Sequence, residues 1–113
     1  MVAKFDTIRS KGFAAITNSY TILGAQYDYP LRMFRIINDT DGNMFISVDG
    51  TTNQFYLPKG TFVLYDIAAN SIGSIPFVVP AKTQFYVKYS SAPSLGSVYV
   101  EGIYSNIQTG YDS

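Results

Sequence analysis

Hydrophobic and polar positions alternate with a period of two along several short stretches of this chain, which is the side-chain spacing of a β-strand. In Asn43–Val48, Met44, Ile46 and Val48 share one face, while Asn43, Phe45 and Ser47 share the other. In Thr83–Tyr89, Phe85, Val87 and Tyr89 oppose Gln84, Tyr86 and Lys88. In Ser97–Tyr104, Val98, Val100, Gly102 and Tyr104 oppose Ser97, Tyr99, Glu101 and Ile103. Runs of similar composition predict strands at Ser19–Leu23, Arg32–Asn38, Gln54–Leu57 and Thr61–Ile67, a further one over Asp6–Ala15 and a short one at Pro76–Val79. The clusters TDGN, DGTTN, PKG, VPAK and SSAPSLG punctuate the runs as turns. Helix signals are poor. Many short strands at this spacing predict an all-β, single-domain antiparallel β-sandwich.

The second faces of these strands are not cleanly polar, since they carry Phe45, Tyr86, Tyr99 and Ile103. A sheet with one solvated face alternates better than this. Either the outer face docks on something, or another part of the same domain covers it; position by position the second explanation is slightly favoured. The stretch Val2–Phe13 sets Phe5, Ile8 and Phe13 among Lys4, Arg9 and Lys11, and the polar tail Ser105–Ser113 holds Ile107 and Tyr111. Residues 1–13 and 105–113 are therefore candidate arms of an assembly, ordered by a partner.

Composition narrows the function. The chain has 113 residues, the size of one domain, and only 14% of them are charged against 47% hydrophobic. Average proteins carry ~25% charge, which favours a surface partly covered by partners, with a surface of Ser, Thr, Asn and Gln as the alternative. Net charge is zero and the basic residues are scattered, which argues against nucleic acid as partner. No apolar run reaches the ~20 residues of a membrane span, and MVAKFDTIRSKGF lacks an apolar signal core. The chain thus reads as a soluble protein without a cleavable secretion signal.

Histidine and cysteine are both absent. That removes the commonest general base, the thiol nucleophile and the commonest transition-metal ligands. No glycine-rich phosphate loop is present, so neither an enzyme nor a cofactor is expected. One acidic run stands out. NDTDGNMFISVDG, Asn38–Gly50, holds Asp39, Asp41 and Asp49, three of eight acidic residues. Asp39, Asp41 and Asn43 match the first oxygen positions of a calcium loop. Met44 stands where that loop needs glycine, and Gly50 where it needs a bidentate acid. Turns at the ends of a strand explain every residue instead, with Asp41-Gly42 and Asp49-Gly50 as favoured hairpin dipeptides.

The same turns carry a resemblance. In order, Asn38–Asp41, Ser47–Gly50, Pro58–Gly60, Leu64–Asp66, Lys82–Lys88, Ala92–Gly96 and Val98–Glu101, with the opening Phe5–Phe13, resemble small β-rich virion proteins of tailed bacteriophages. The resemblance spans most of the chain and rests on turns and strands alone. It implies a jelly-roll-like sandwich made in the cytoplasm of a bacterial host and built into the virion. Its first implied role is capsid decoration (cement), through contacts with the major capsid protein and as a homo-oligomer. A neck, tail or fibre-attachment adaptor is the alternative, and a carbohydrate-binding module that stacks tyrosines on sugar rings is a third. Interfaces favour tyrosine, arginine and large apolar groups. The candidate partner contacts are accordingly Phe5, Ile8, Arg9, Tyr27, Tyr29, Arg32, Arg35, Ile107 and Tyr111.

Overall fold

The computed structural model describes residues 3–66 and 79–105. Nine strands lie among the described residues: β1 Ala3–Phe5, β2 Arg9–Gly12, β3 Thr21–Ile22, β4 Leu31–Thr40, β5 Met44–Ser47, β6 Phe55–Leu57, β7 Phe62–Asp66, β8 Tyr86–Tyr89 and β9 Gly96–Ser105. One 3-10 turn, Phe13–Ala15, follows β2. The strands expected within the described residues are met with shifted ends, Asp6–Ala15 being a strand over Arg9–Gly12 only. Ser19–Leu23 shrinks to two residues, and Thr83–Tyr89 begins its regular pairing at Tyr86. Ile67 and most of Pro76–Val79 lie outside the described residues; Val79 itself bridges to Leu31.

Pairing is antiparallel throughout and nested: β2 with β9, β3 with β8, β4 with β7 and β5 with β6. The chain is in effect one long hairpin wound into two sheets. The first is five-stranded, in the order β1-β9-β4-β7 with β2 also on β9, and the second is four-stranded, in the order β3-β8-β5-β6. This winding is the jelly-roll form of the β-sandwich. The N-terminal stretch considered above as an arm is instead part of the first sheet over its described residues. From Phe5 to Arg9 the chain takes four steps against three between their partners Ile103 and Val100, so β1 and β2 are one strand with a bulge between them. The bulge is anchored where Asp6 N donates to Gly102 O at 2.9 Å. A second bulge falls at Arg32, where the register of β4 on β9 shifts between Leu31 and Met33.

The core lies between the sheets. Leu31, Phe34 and Ile36 of β4 and Val98 and Val100 of β9 meet Met44, Ile46, Leu57, Phe85 and Val87 from the other layer, with Ile16, Leu23 and Tyr27 closing the sides. Each such side chain contributes about 1.5–3 kcal/mol on full burial. Phe34 is central among the aromatics, with ring centroids 5.4 Å from Phe85 and 5.3 Å from Tyr65.

The run Asn38–Asn43 corrects one expectation. It is not a hairpin, because β4 and β5 belong to different sheets; it is the corner where the chain crosses between layers. Asn38 is fully buried and holds that corner. Its amide donates to Gly42 O and to Leu57 O, both at 2.9 Å, and its Oδ1 accepts from Thr40 N at 3.1 Å and Thr40 Oγ1 at 2.6 Å. Gly42 is required by proximity, not by φ: a Cβ there would sit 2.4 Å from Ser91 O. Gly96, which opens β9 beside the end of β4, is required on both counts, with φ +87° and a Cβ position 1.9 Å from Asp39 O. The true hairpin is β5–β6.

Replacing Asn38 by leucine takes the side-chain partner from Leu57 O and Thr40 N in a buried corner, and leaves Gly42 O only the Thr40 hydroxyl at 3.0 Å. At roughly 1–3 kcal/mol per stranded group, Asn38→Leu is expected to destabilise by about 3 kcal/mol or more. A fall in the denaturant midpoint with unchanged m-value is the measurement that checks it.

Candidate functional site

Residues paired directly across strands share a face, so the register assigns the outer face of the five-stranded sheet. Met33, Arg35 and Ile37 of β4 stand beside Ile103, Glu101 and Tyr99 of β9. Leu64 and Phe62 of β7 lie on their other side, opposite Arg35 and Ile37. Phe5 of β1 stands opposite Ile103, and Ile8 comes from the bulge. Alternation on β4 and β9 buries Phe34, Ile36, Val98 and Val100 inward and therefore turns this second set outward. Nothing among the described residues covers it: Phe5 is 86% exposed, Phe62 60%, Leu64 53% and Ile8 50%.

Among the described residues, one ion pair interrupts the apolar surface. Arg35 Nε donates to Glu101 Oε1 at 2.6 Å, and Arg35 Nη2 lies 2.5 Å from the same oxygen. The guanidinium also sits 5.6 Å from the centroid of Phe62. Both partners are about 40% exposed, a setting in which such a pair is worth ~0–1 kcal/mol to folding. Phe5, Ile8, Met33, Leu64 and Ile103 ring the pair and form a groove of about 360 Å³. The arrangement suits recognition by surface: an apolar rim in place for desolvation and one charge pair to set direction. It offers no acid–base constellation.

The outer face of the four-stranded sheet differs. Lys88 Nζ lies 4.7 Å from the Tyr20 ring and 5.7 Å from the Phe45 ring, and Phe45 packs on Tyr56 at 5.2 Å with a 48° tilt. Phe45, half-buried on this second face, is thus packed against Tyr56 and Lys88 of its own sheet. A further hollow of about 590 Å³ opens between the sheets among Phe34, Phe55, Tyr65, Val79 and Phe85.

The acidic run works as turns. Asp49 Oδ1 accepts from Thr51 N and Thr52 N, both at 2.8 Å, and from Ser47 Oγ at 2.7 Å. Those bonds hold its carboxyl well below the usual range, the Thr52 amide acting most strongly. Asp41 accepts from Ser94 N at 2.6 Å and Leu95 N at 3.3 Å, and also from the Ser94 hydroxyl; the Ser94 bonds lower its pKa as well. The two carboxylates thus tie different loops, and Asp39 stands exposed at the end of β4.

The expected contact residues separate into groups. Phe5, Ile8 and Arg35 come together on the outer face of the five-stranded sheet. Tyr29, 47% exposed, stacks flat on Tyr104 at 4.3 Å, near the end of the same sheet. Arg32 is the half-buried bulge residue of β4. Two expectations are corrected. Tyr27 is fully buried, with Phe85 edge-on at 5.9 Å, and burial pushes its hydroxyl up to about 12. Arg9 is spent inside the fold. Its side chain is 10% exposed, lies 4.0 Å over the Tyr27 ring and pairs with Asp6 at 3.0 Å. It donates to Ala25 O and Gln26 O as well. Ile107 and Tyr111 lie outside the described residues. Sequence reasoning passed over Phe62, Leu64, Met33 and Ile37 as surface residues, and had no signal for them. In FVLYD Phe62 and Leu64 alternate with Val63 and Tyr65, so both sets are apolar up to Asp66 and neither stands out as the outward one without the partner strand.

Comparison with family models, with curated proteins and with solved structures gives no match to this chain. Among the described residues no helix is long and apolar enough to cross a membrane.

The Asp49 turn makes an acid-side prediction. Its folded pKa is depressed below the unfolded ~3.9, so its contribution is present above pH ~4 and is lost as pH falls below that value. Wild-type melting temperature is expected to drop on acidification through this range. Asp49→Asn is expected to start lower at pH 7 and to show a flatter acid limb, read by thermal melts from pH 7 to 2.

Proposed function

We propose that this chain is a structural component of a tailed-phage virion, and first a decoration protein that binds the assembled capsid. The observation that carries the reading is an apolar face of the jelly roll that no described residue covers: Phe5, Ile8, Phe62 and Leu64 around a self-neutralised Arg35–Glu101 pair. Exposed patches of this kind mark association surfaces. The chain's lack of histidine and cysteine, its low charge and the sequence resemblance support binding over chemistry. The mechanism is mass action. A protein that binds the closed shell and not its separated subunits shifts the equilibrium toward the shell.

The neck or tail reading draws on the same observation, and stoichiometry separates the two. The carbohydrate reading draws on the run Tyr20–Lys88–Phe45–Tyr56, although the 48° tilt between Phe45 and Tyr56 is a poor platform for a flat sugar ring. Quantitative mass spectrometry of purified particles, relative to the major capsid protein, is expected to find one copy per capsid subunit or a simple fraction of that. About a dozen copies would assign the protein to the neck or tail, as symmetric assembly dictates. Absence from particles would overturn the virion reading.

A further inference from the structure

We propose that the occupant of the outer face of the five-stranded sheet is a second copy of the same chain, docked about a two-fold axis through the Arg35–Glu101 pair. The inference rests on reading that face as an association surface, and it names the partner.

Charge is the first argument. Arg35 and Glu101 lie side by side on adjacent strands, at the centre of the apolar patch. A two-fold axis between them brings Arg35 of one copy over Glu101 of the other, and the reverse. Each charge then gains a second opposite neighbour, and the four groups form an alternating ring. A like-charge cluster at this position would forbid self-docking; an adjacent plus and minus is the simplest self-complementary pattern, as an isologous interface demands. Burial of the ring leaves no charge unpaired, which is the condition for a charged group inside an interface.

Area is the second. Taking roughly 150–250 Å² per aromatic side chain, Phe5 and Phe62, 86% and 60% exposed, together present on the order of 300 Å². With Ile8 and Leu64 the face reaches on the order of 500 Å², and two copies face to face bury about 1,000 Å², the lower bound for a specific interface. A reversible, concentration-dependent dimer is therefore expected, not an obligate one.

The test uses two charge reversals of the full chain, Arg35→Glu and Glu101→Arg. Each alone places like charges face to face across the axis, so each is expected to sediment as a monomer at concentrations where the wild type dimerises. Mixed in equal amounts, they are expected to form a heterodimer, because every cross-axis contact is again opposite in sign. Leu64→Asp, at an exposed position, is expected to weaken wild-type association at least tenfold, and thermal melts of each variant establish that it is folded. The proposal is overturned if the wild type stays monomeric into the ~1 mM range. It is equally overturned if the single reversals dimerise like the wild type, or if their mixture stays monomeric while the wild type dimerises. A monomeric wild type that is nonetheless abundant in particles would overturn the self-interface and leave the virion reading standing, with the face assigned to the shell.

Discussion

The two sheets are held in register by the amide of Asn38. A sandwich of short strands has an abundance of apolar contact and little to say where one layer stops and the other starts, because burial is non-directional. Asn38 supplies direction. From the end of β4 it bonds forward to Gly42 in the corner and across to Leu57 at the end of β6, while its backbone N donates to Thr61 O at 2.8 Å. Four segments, β4, the corner, β6 and the entry to β7, meet at one buried residue. A polar group so placed is costly unless every bond is made, and here each is made, so alternative crossings carry a penalty that the native one lacks. Gly42 and Gly96 belong to the same constraint: the chain turns so closely at this end that no Cβ fits beside Ser91 O or Asp39 O.

That corner determines what the outer surface looks like. It sends Phe34 and Ile36 inward, and the pleat then turns Met33, Arg35 and Ile37 outward beside β9 and β7. The nested pairing places β9 between β1–β2 and β4, so the central strand of the outer face carries Glu101 next to Arg35. The ion pair thus follows from register alone. One-residue slippage of β4 would bury Arg35 and expose Phe34, so the outer-face chemistry and the core stand or fall together.

The architecture was legible because period-two alternation survives in β5, β8 and β9, and because Gly, Pro and Asp cluster between the runs. The corner was not. Asp41-Gly42 reads locally as a hairpin turn, and only the placement of Ser91 and Pro93 against Gly42 shows why the chain crosses layers there. Tyr27 and Arg9 misled for one reason: tyrosine and arginine are frequent at interfaces, but they are also the side chains able to bridge a core and a polar rim. Here Arg9 caps the buried Tyr27 ring and satisfies loop carbonyls. Phe5, Ile8 and Arg35 were visible as candidates, yet their convergence was not. They come from β1, a bulge and β4, and sequence separation hides what β9 joins.

An apolar face by itself invites indiscriminate association. Phe62 and Leu64 sit on β7, the last strand of the sheet order among the described residues, and strand edges with apolar side chains recruit any complementary strand. The Arg35–Glu101 pair limits that choice. Bringing it under another surface removes water from two charges, and only a partner that answers both offsets the loss. Most orientations of a second molecule, and most unrelated surfaces, leave at least one charge unanswered. The pair adds little to the stability of the fold, at most about 1 kcal/mol. Its physical consequence falls on what the face rejects, and that selectivity lets a protein with only 14% charged residues carry such a face.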